Sequence, residues 1–115
     1  MTVAAQLLKQ RPHAMDVTVI EPHEKHYYQP LWTLVGAGVF PREESERPEA
    51  DYMPQGANWV KDRVATFEPE QNRVVTEQGQ TLPYDYLVVC PGLQLNWSAI
   101  RGLSHAVVGS HGICS

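Results

Sequence analysis

"DVTVIEPHEKHYYQPLWTLVGAGVF", residues 16 to 40, is the stretch on which the fold turns. Val17, Val19 and Ile20 make a short, mostly apolar run, which suits a strand buried on both faces. The run stops at Glu21-Pro22. Upstream, "TVAAQLLKQRP" puts Val3, Leu7 and Leu8 on one helical face with Ala4 and Ala5 beside them, and Arg11-Pro12 ends the pattern. A helix feeding a buried strand that ends in an acid has the order of the second half of a βαβ unit. In dinucleotide-binding units of that kind the acid takes ribose hydroxyls and lies roughly 20 residues past the first glycines of GxGxxG. Counting back from Glu21 reaches residue 1 or just before it, so the glycine loop and first strand are expected upstream of Met1. "GAG" at 36 to 38 is not that loop: it lacks the third glycine and follows the acidic strand. By position alone, Glu21 could equally be an ordinary solvated strand end.

Downstream, residues 22–56 hold Pro22, Pro30, Pro41, Pro48 and Pro54 and read as one long connecting region. It is apolar in "PLWTLVGAGVF" and polar in "PREESERPEAD", the latter a solvated loop. Connections of this length are usually functional or disordered. "WVKDRVATF" alternates Val60, Asp62 and Val64 with Lys61 and Arg63, the pattern of a strand, and "NRVVTEQ" is another. Gly79-Gln80 turns that strand into "TLPYDYLVV", with Gly79 at the positive-φ position of the hairpin. "YLVVC" is again continuous and apolar, a buried strand that Pro91-Gly92 ends. The expected architecture is α/β: one helix, a parallel pair formed by 16–21 and 84–90, and an antiparallel hairpin between them.

Composition narrows the function. With 115 residues the chain is one domain at most, or part of one. A net charge of -4 argues against a nucleic-acid partner, because nothing would release a polyanion's counterions. No Lys/Arg cluster points to an anionic membrane surface. The longest apolar run, "LWTLVGAGVF", is ten residues, about half of what crosses a bilayer. No secretion signal is visible, and two cysteines, Cys90 and Cys114, do not make a disulfide scaffold, so a reducing compartment is the default.

At this point the residues carry a resemblance. "VIEPHEKHYYQPLWTLVGAG" resembles sulfide:quinone oxidoreductases, flavoproteins with two dinucleotide-binding domains, and "NWVKDRVATFEPEQNRVVTEQGQTLPYDYLVVCPGLQLNWSAIRGL" continues the match in register. The likeness runs from about Thr2 to Ser115; "HYYQPLWTLVGAG" is its specific part, while the acidic strand end and "YDYLVV" are common to the wider superfamily. Members are several times longer, with an N-terminal glycine loop, a second dinucleotide-binding domain and a membrane-associating C-terminal region. The resemblance implies that residues 1–115 are a partial Rossmann-like FAD-binding domain with an inserted β-hairpin, lacking the first strand and glycine-rich loop. It implies FAD as cofactor and sulfide and quinone as partners, with two electrons passing through the flavin from a cysteine pair that accepts sulfide. By the same resemblance Glu21 binds the adenosine ribose and the Arg63-Val64 backbone meets the adenine. Cys90, Pro91 and Gly92 form a turn beside the cofactor, where the superfamily commonly has Ala-Thr-Gly, and "YYQPLW" lies near the flavin. A cytoplasmic chain is implied, peripheral to the inner membrane in the complete enzyme.

Other readings compete. His23 and His26 form an HxxH and His111 precedes Cys114 by three, but a zinc site needs these distant pairs to converge; solvated loop histidines explain them better, and no metal is expected. Cys90 ends an apolar run and reads as packing. Cys114, in "SHGICS", is the candidate redox cysteine. Tyr27, Tyr28 and Trp32 either fill core or wall a cofactor. The chain is therefore expected to be an oxidoreductase part, inactive alone. The alternatives are a non-enzymatic remnant or part of another flavoprotein such as a type II NADH dehydrogenase, against which the two-tyrosine run argues.

Overall fold

A computed structural model describes residues 1–11 and 14–103 of the chain. Helix α1 (Thr2–Gln10) is where the 3.6-residue pattern put it, closed by the Arg11 N–H on the Leu7 carbonyl at 2.9 Å. Of its apolar face Leu8 is buried, Leu7 half-buried and Val3 exposed. Leu8 packs against the turn at Gly56, where an added Cβ would meet the leucine at 3.7 Å.

Strand β1 (Thr18–Ile20) follows. The chain then makes an excursion that is more ordered than a connecting loop. β2 (Lys25–Tyr27) leads out, α2 (Trp32–Gly36) sits near the tip, and β3 (Glu46–Pro48) returns antiparallel to β2 with His26 opposite Arg47. "PREESERPEAD" is accordingly not a solvated loop: it forms β3 between two 3-10 turns, and Ser45 and Glu49 are buried. Opposite charges explain the order. Lys25 meets Glu46 at 2.6 Å across the ladder, and Arg42 reaches the same carboxylate at 3.0 Å. The Lys25 contact lowers the Glu46 pKa and raises that of Lys25.

The excursion delivers β4 (Asn58–Val60) alongside β1 in parallel, with Val19 opposite Trp59. Parallel neighbours need a long crossover, and residues 21–57 supply it. The expected partner for β1 was 84–90; β4 holds the place instead. "WVKDRVATF" is likewise two strands. After Val60 the Asp62 N–H turns back onto the Val60 carbonyl at 2.9 Å, and β5 (Val64–Glu68) begins in another sheet. The alternation aimed Asp62 inward, and a buried carboxylate breaks the strand to find donors.

β5, β6 (Arg73–Thr76) and β7 (Thr81–Pro83) make a three-stranded antiparallel meander with a register shift between Val64 and Thr66. The turn into β7 has Gly79 at φ 84°, as its sequence required. Val74 on the central strand is 2% exposed, and with Leu8 it makes up the buried apolar core among the described residues. The run 84–90 is not a strand. Tyr86, Leu87, Val88 and Val89 are all exposed, and no strand among the described residues pairs with this run. The radius of gyration is 17.8 Å, against about 13 Å for a packed domain of this length. Much apolar surface therefore lies open.

Candidate functional site

Glu21 sits one residue beyond β1, and four contacts fix it. Its N–H donates to the Val60 carbonyl at 3.1 Å, and its own carbonyl accepts the Trp59 indole N–H at 2.9 Å. The side chain turns back over Pro22. Oε1 accepts the His23 backbone N–H at 2.8 Å and lies 2.6 Å from His23 Nδ1. Oε2 has no hydrogen-bond partner among the described residues. Trp59 is held in turn by Lys61, whose ammonium lies 4.5 Å from the ring centroid and pairs with Glu24 at 2.8 Å. That pair lowers the Glu24 pKa. The end of β1 is thus stapled to β4 on both sides of the turn.

A cleft of about 300 Å³ opens beside this turn, lined by His23, Arg63, Pro91, Gly92, Leu93 and Gln94. Three separate segments converge there: the turn after β1, the residue before β5 and residues 91–94. A wider hollow of about 520 Å³ is walled by residues 93–97 alone, so nothing converges on it. Of the residues named from sequence, Arg63, Pro91 and Gly92 line the cleft, and Glu21 adjoins it through His23. Cys90 is exposed and is not among the lining residues; Cys114 lies outside the described residues. Gly92 has φ 76° and open space where a Cβ would stand, so backbone can approach a ligand there.

Asp62 precedes Arg63 and is not itself among the lining residues. It is buried, and its Oδ1 accepts the Arg63 N–H at 2.7 Å while Oδ2 accepts the Gln78 N–H at 3.2 Å. The Thr76 hydroxyl is the main cause holding its pKa below the usual carboxylate range, against the effect of burial. The Arg63 N–H is therefore taken, and the Arg63 carbonyl accepts Glu77 N–H at 2.8 Å. Sequence reasoning gave no site role to Asp62 or Trp59 and took His23 for a solvated loop histidine. An acid at an inward position of an alternating strand was the available signal for Asp62. For His23 the available signal was its place two residues after the acid that ends β1, within reach of that side chain.

The histidines of the HxxH face different acids. His23 goes to Glu21, whereas His26 Nδ1 meets the buried Glu49 at 3.1 Å and its ring stacks on Tyr52 at 4.5 Å. His23 is an exposed loop histidine, as expected, with an acid beside it; His26 lies in β2 and is half-buried. Among the described residues no three His, Cys, Asp or Glu side chains gather as a metal site. Tyr27 meets Trp32 edge-on at 6.1 Å, and Tyr28 and Trp32 are exposed, so this cluster is not core. Among the described residues no helix is long and apolar enough to cross a membrane.

With this geometry in place, relatives can be compared. No family model matches the chain. The mitochondrial sulfide:quinone oxidoreductase of Dictyostelium discoideum is 50% identical over all 115 residues, which are 25% of its own length. The mouse mitochondrial enzyme of that name is 41% identical over 99 residues, 86% of this chain and 22% of the relative. The chain belongs to the sulfide:quinone oxidoreductase family. It spans about a quarter of the length of these curated relatives. The sulfide:quinone oxidoreductase structure from Aquifex aeolicus superposes with a TM-score of 0.63 at 23% identity, over 72% of this chain and 19% of that one. A chain of the Tetrahymena thermophila mitochondrial ATP synthase structure gives 0.75 at 20% identity, over 86% and 24%. Those two likenesses speak to fold alone. They support a mixed α/β architecture for this member of the sulfide:quinone oxidoreductase family.

Proposed function

We propose that this chain forms the adenosine-holding part of an FAD-dependent oxidoreductase of the sulfide:quinone type. The observation that carries the reading is the convergence of His23, Arg63, Pro91 and Gly92 on one cleft beside the acid that ends β1. The cleft fits part of the cofactor. At about 300 Å³ it is at the low end of ligand sites, room for an adenosine and not for a whole FAD. Glu21 Oε2 is an acceptor without a partner among the described residues, as a ribose hydroxyl requires. Gly92 lets the turn approach, and Arg63 lines the cleft. When bound, FAD would supply the two-electron chemistry that joins sulfide oxidation to quinone reduction.

The partial Rossmann-like arrangement belongs to the same reading. β1 and β4 make a parallel pair whose second β1 edge is open among the described residues, and the exposed run 86–89 is an apolar strand sequence without a sheet. The 115 residues contain no GxGxxG, so the N–H groups that hold a pyrophosphate at a helix start are not among them. The chain alone would then orient adenosine more than bind FAD, and would not turn over. Quinone dissolves in the bilayer, so the complete enzyme would work at the surface of a membrane, in mitochondria if it follows the named relatives. The test uses the longest polypeptide the gene encodes. It should be isolated with a flavin absorbance band and reduce a short-chain quinone in the presence of sulfide, whereas residues 1–115 should do neither. A long polypeptide that takes up no flavin, or quinone turnover by residues 1–115 with added FAD, would contradict the proposal.

A further inference from the structure

The Glu21 carboxylate is not free to turn. Both His23 donors reach the same oxygen, the backbone N–H at 2.8 Å and Nδ1 at 2.6 Å. A carboxylate only accepts, so Nδ1 must carry the proton in this contact, and the imidazole tautomer is settled by the contact itself. The pair is at the surface: the Glu21 side chain is 34% exposed and that of His23 67%. An exposed pair of this kind contributes little to folding. Its effect is to choose a rotamer. Oε1 is occupied, and Oε2 is left as the acceptor without a partner among the described residues. The His23 ring also lines the cleft with Arg63 and Gly92.

We infer that His23 is a positioning residue for cofactor binding. It fixes the Glu21 carboxylate so that a single oxygen is offered to an adenosine ribose hydroxyl. This rests on the reading that Glu21 grips the ribose. A free glutamate would lose rotamer freedom on binding; here that freedom is lost on folding, which raises affinity without any direct contact between His23 and the ribose.

A double-mutant cycle tests it on the longest polypeptide the gene encodes, stripped of flavin and titrated with FAD. His23→Ala is expected to weaken FAD binding about three- to tenfold. Glu21→Ala should weaken it more, and adding His23→Ala to Glu21→Ala should cost nothing further. His23→Asn, whose amide can donate to Oε1, should restore most of the affinity. A loss from His23→Ala that is equally large in the Glu21→Ala background would show a merely structural role and overturn the inference while the ribose reading stands. So would no loss from His23→Ala. No loss from Glu21→Ala, or no FAD binding by the unsubstituted protein, would overturn the reading and the inference together. Circular dichroism of each variant separates misfolding from lost binding, and Asn rescue keeps the test decisive if His23→Ala folds poorly.

Discussion

Two neighbouring regions, 64–83 and 84–92, have the same kind of sequence and opposite fates. Each carries a valine pair, Val74-Val75 and Val88-Val89, and "YLVVC" is the more apolar setting. Yet 64–83 folds into the meander that buries Val74 and Thr76, while Tyr86 is 94% exposed and Val88 60%. The difference lies in where each strand's partner is. β5, β6 and β7 are joined by short turns, at residues 69–72 and 77–80, so each finds its neighbour locally. A buried parallel strand needs neighbours brought from far along the chain. Apolar content marks a segment as one that could enter a sheet; it does not supply the ladder.

The largest expected effect breaks the local region. Val74→Asp puts an unpaired charge at the centre of the meander and should cost about 4 kcal/mol or more in urea unfolding. Hydrogen exchange should then show residues 64–83 unprotected while α1 is less affected. Retention of the meander would mean that Val74 is not its core.

A middle-sized effect comes from Asp62, which ties the start of β5 to the turn after β6. Its pKa is depressed, first by the Thr76 hydroxyl and then by the Arg63 and Gln78 N–H groups. A depressed carboxylate stabilises the fold above its unfolded pKa, about 3.9, and that contribution disappears as pH falls through the lower folded value. Urea midpoints should therefore drop as pH is lowered from about 4 to 2. Asp62→Asn should lower the midpoint at pH 7 and flatten that acid limb. An unchanged acid limb would mean that Asp62 carries none of it.

The smallest effect sharpens the contrast. Val88→Ala in the 115-residue chain should change stability by no more than about 0.5 kcal/mol, because the side chain is exposed. In the longest polypeptide the gene encodes, where we propose that this run enters the parallel sheet, the same change should cost about 2 kcal/mol. Equal small costs in both would leave 84–90 an exposed segment in any setting.

What the sequence disclosed follows the same division. α1, the end of β1 at Glu21, β6 and the positive-φ turn at Gly79 each rest on local rules of period, capping and turn chemistry, and each was legible. The partner of β1 was not, because choosing between 58–60 and 84–90 depends on a crossover that no local pattern encodes. Order in 42–51 was missed because its acids looked solvated. Only the pairing of β2 with β3 sets Lys25 against Glu46 and His26 beside Glu49. At the site, Glu21 and the turn at Gly92 could be named from their motifs. The restraint of Glu21 by His23 and Trp59 could not, since one depends on a side chain folding back and the other on a strand pairing.

The central claim is that this chain presents the ribose acid of an FAD site, and flavin fluorescence titration tests it most directly. Three proteins are compared: residues 1–115, the longest polypeptide the gene encodes, and that polypeptide carrying Glu21→Ala. The account expects weak or no binding by the first and tight binding by the second. The third should be weaker than the second by about 1.5–3 kcal/mol, the scale of a hydrogen bond to a charged group. Equal affinity of the second and third would contradict it and leave Glu21 an ordinary strand end.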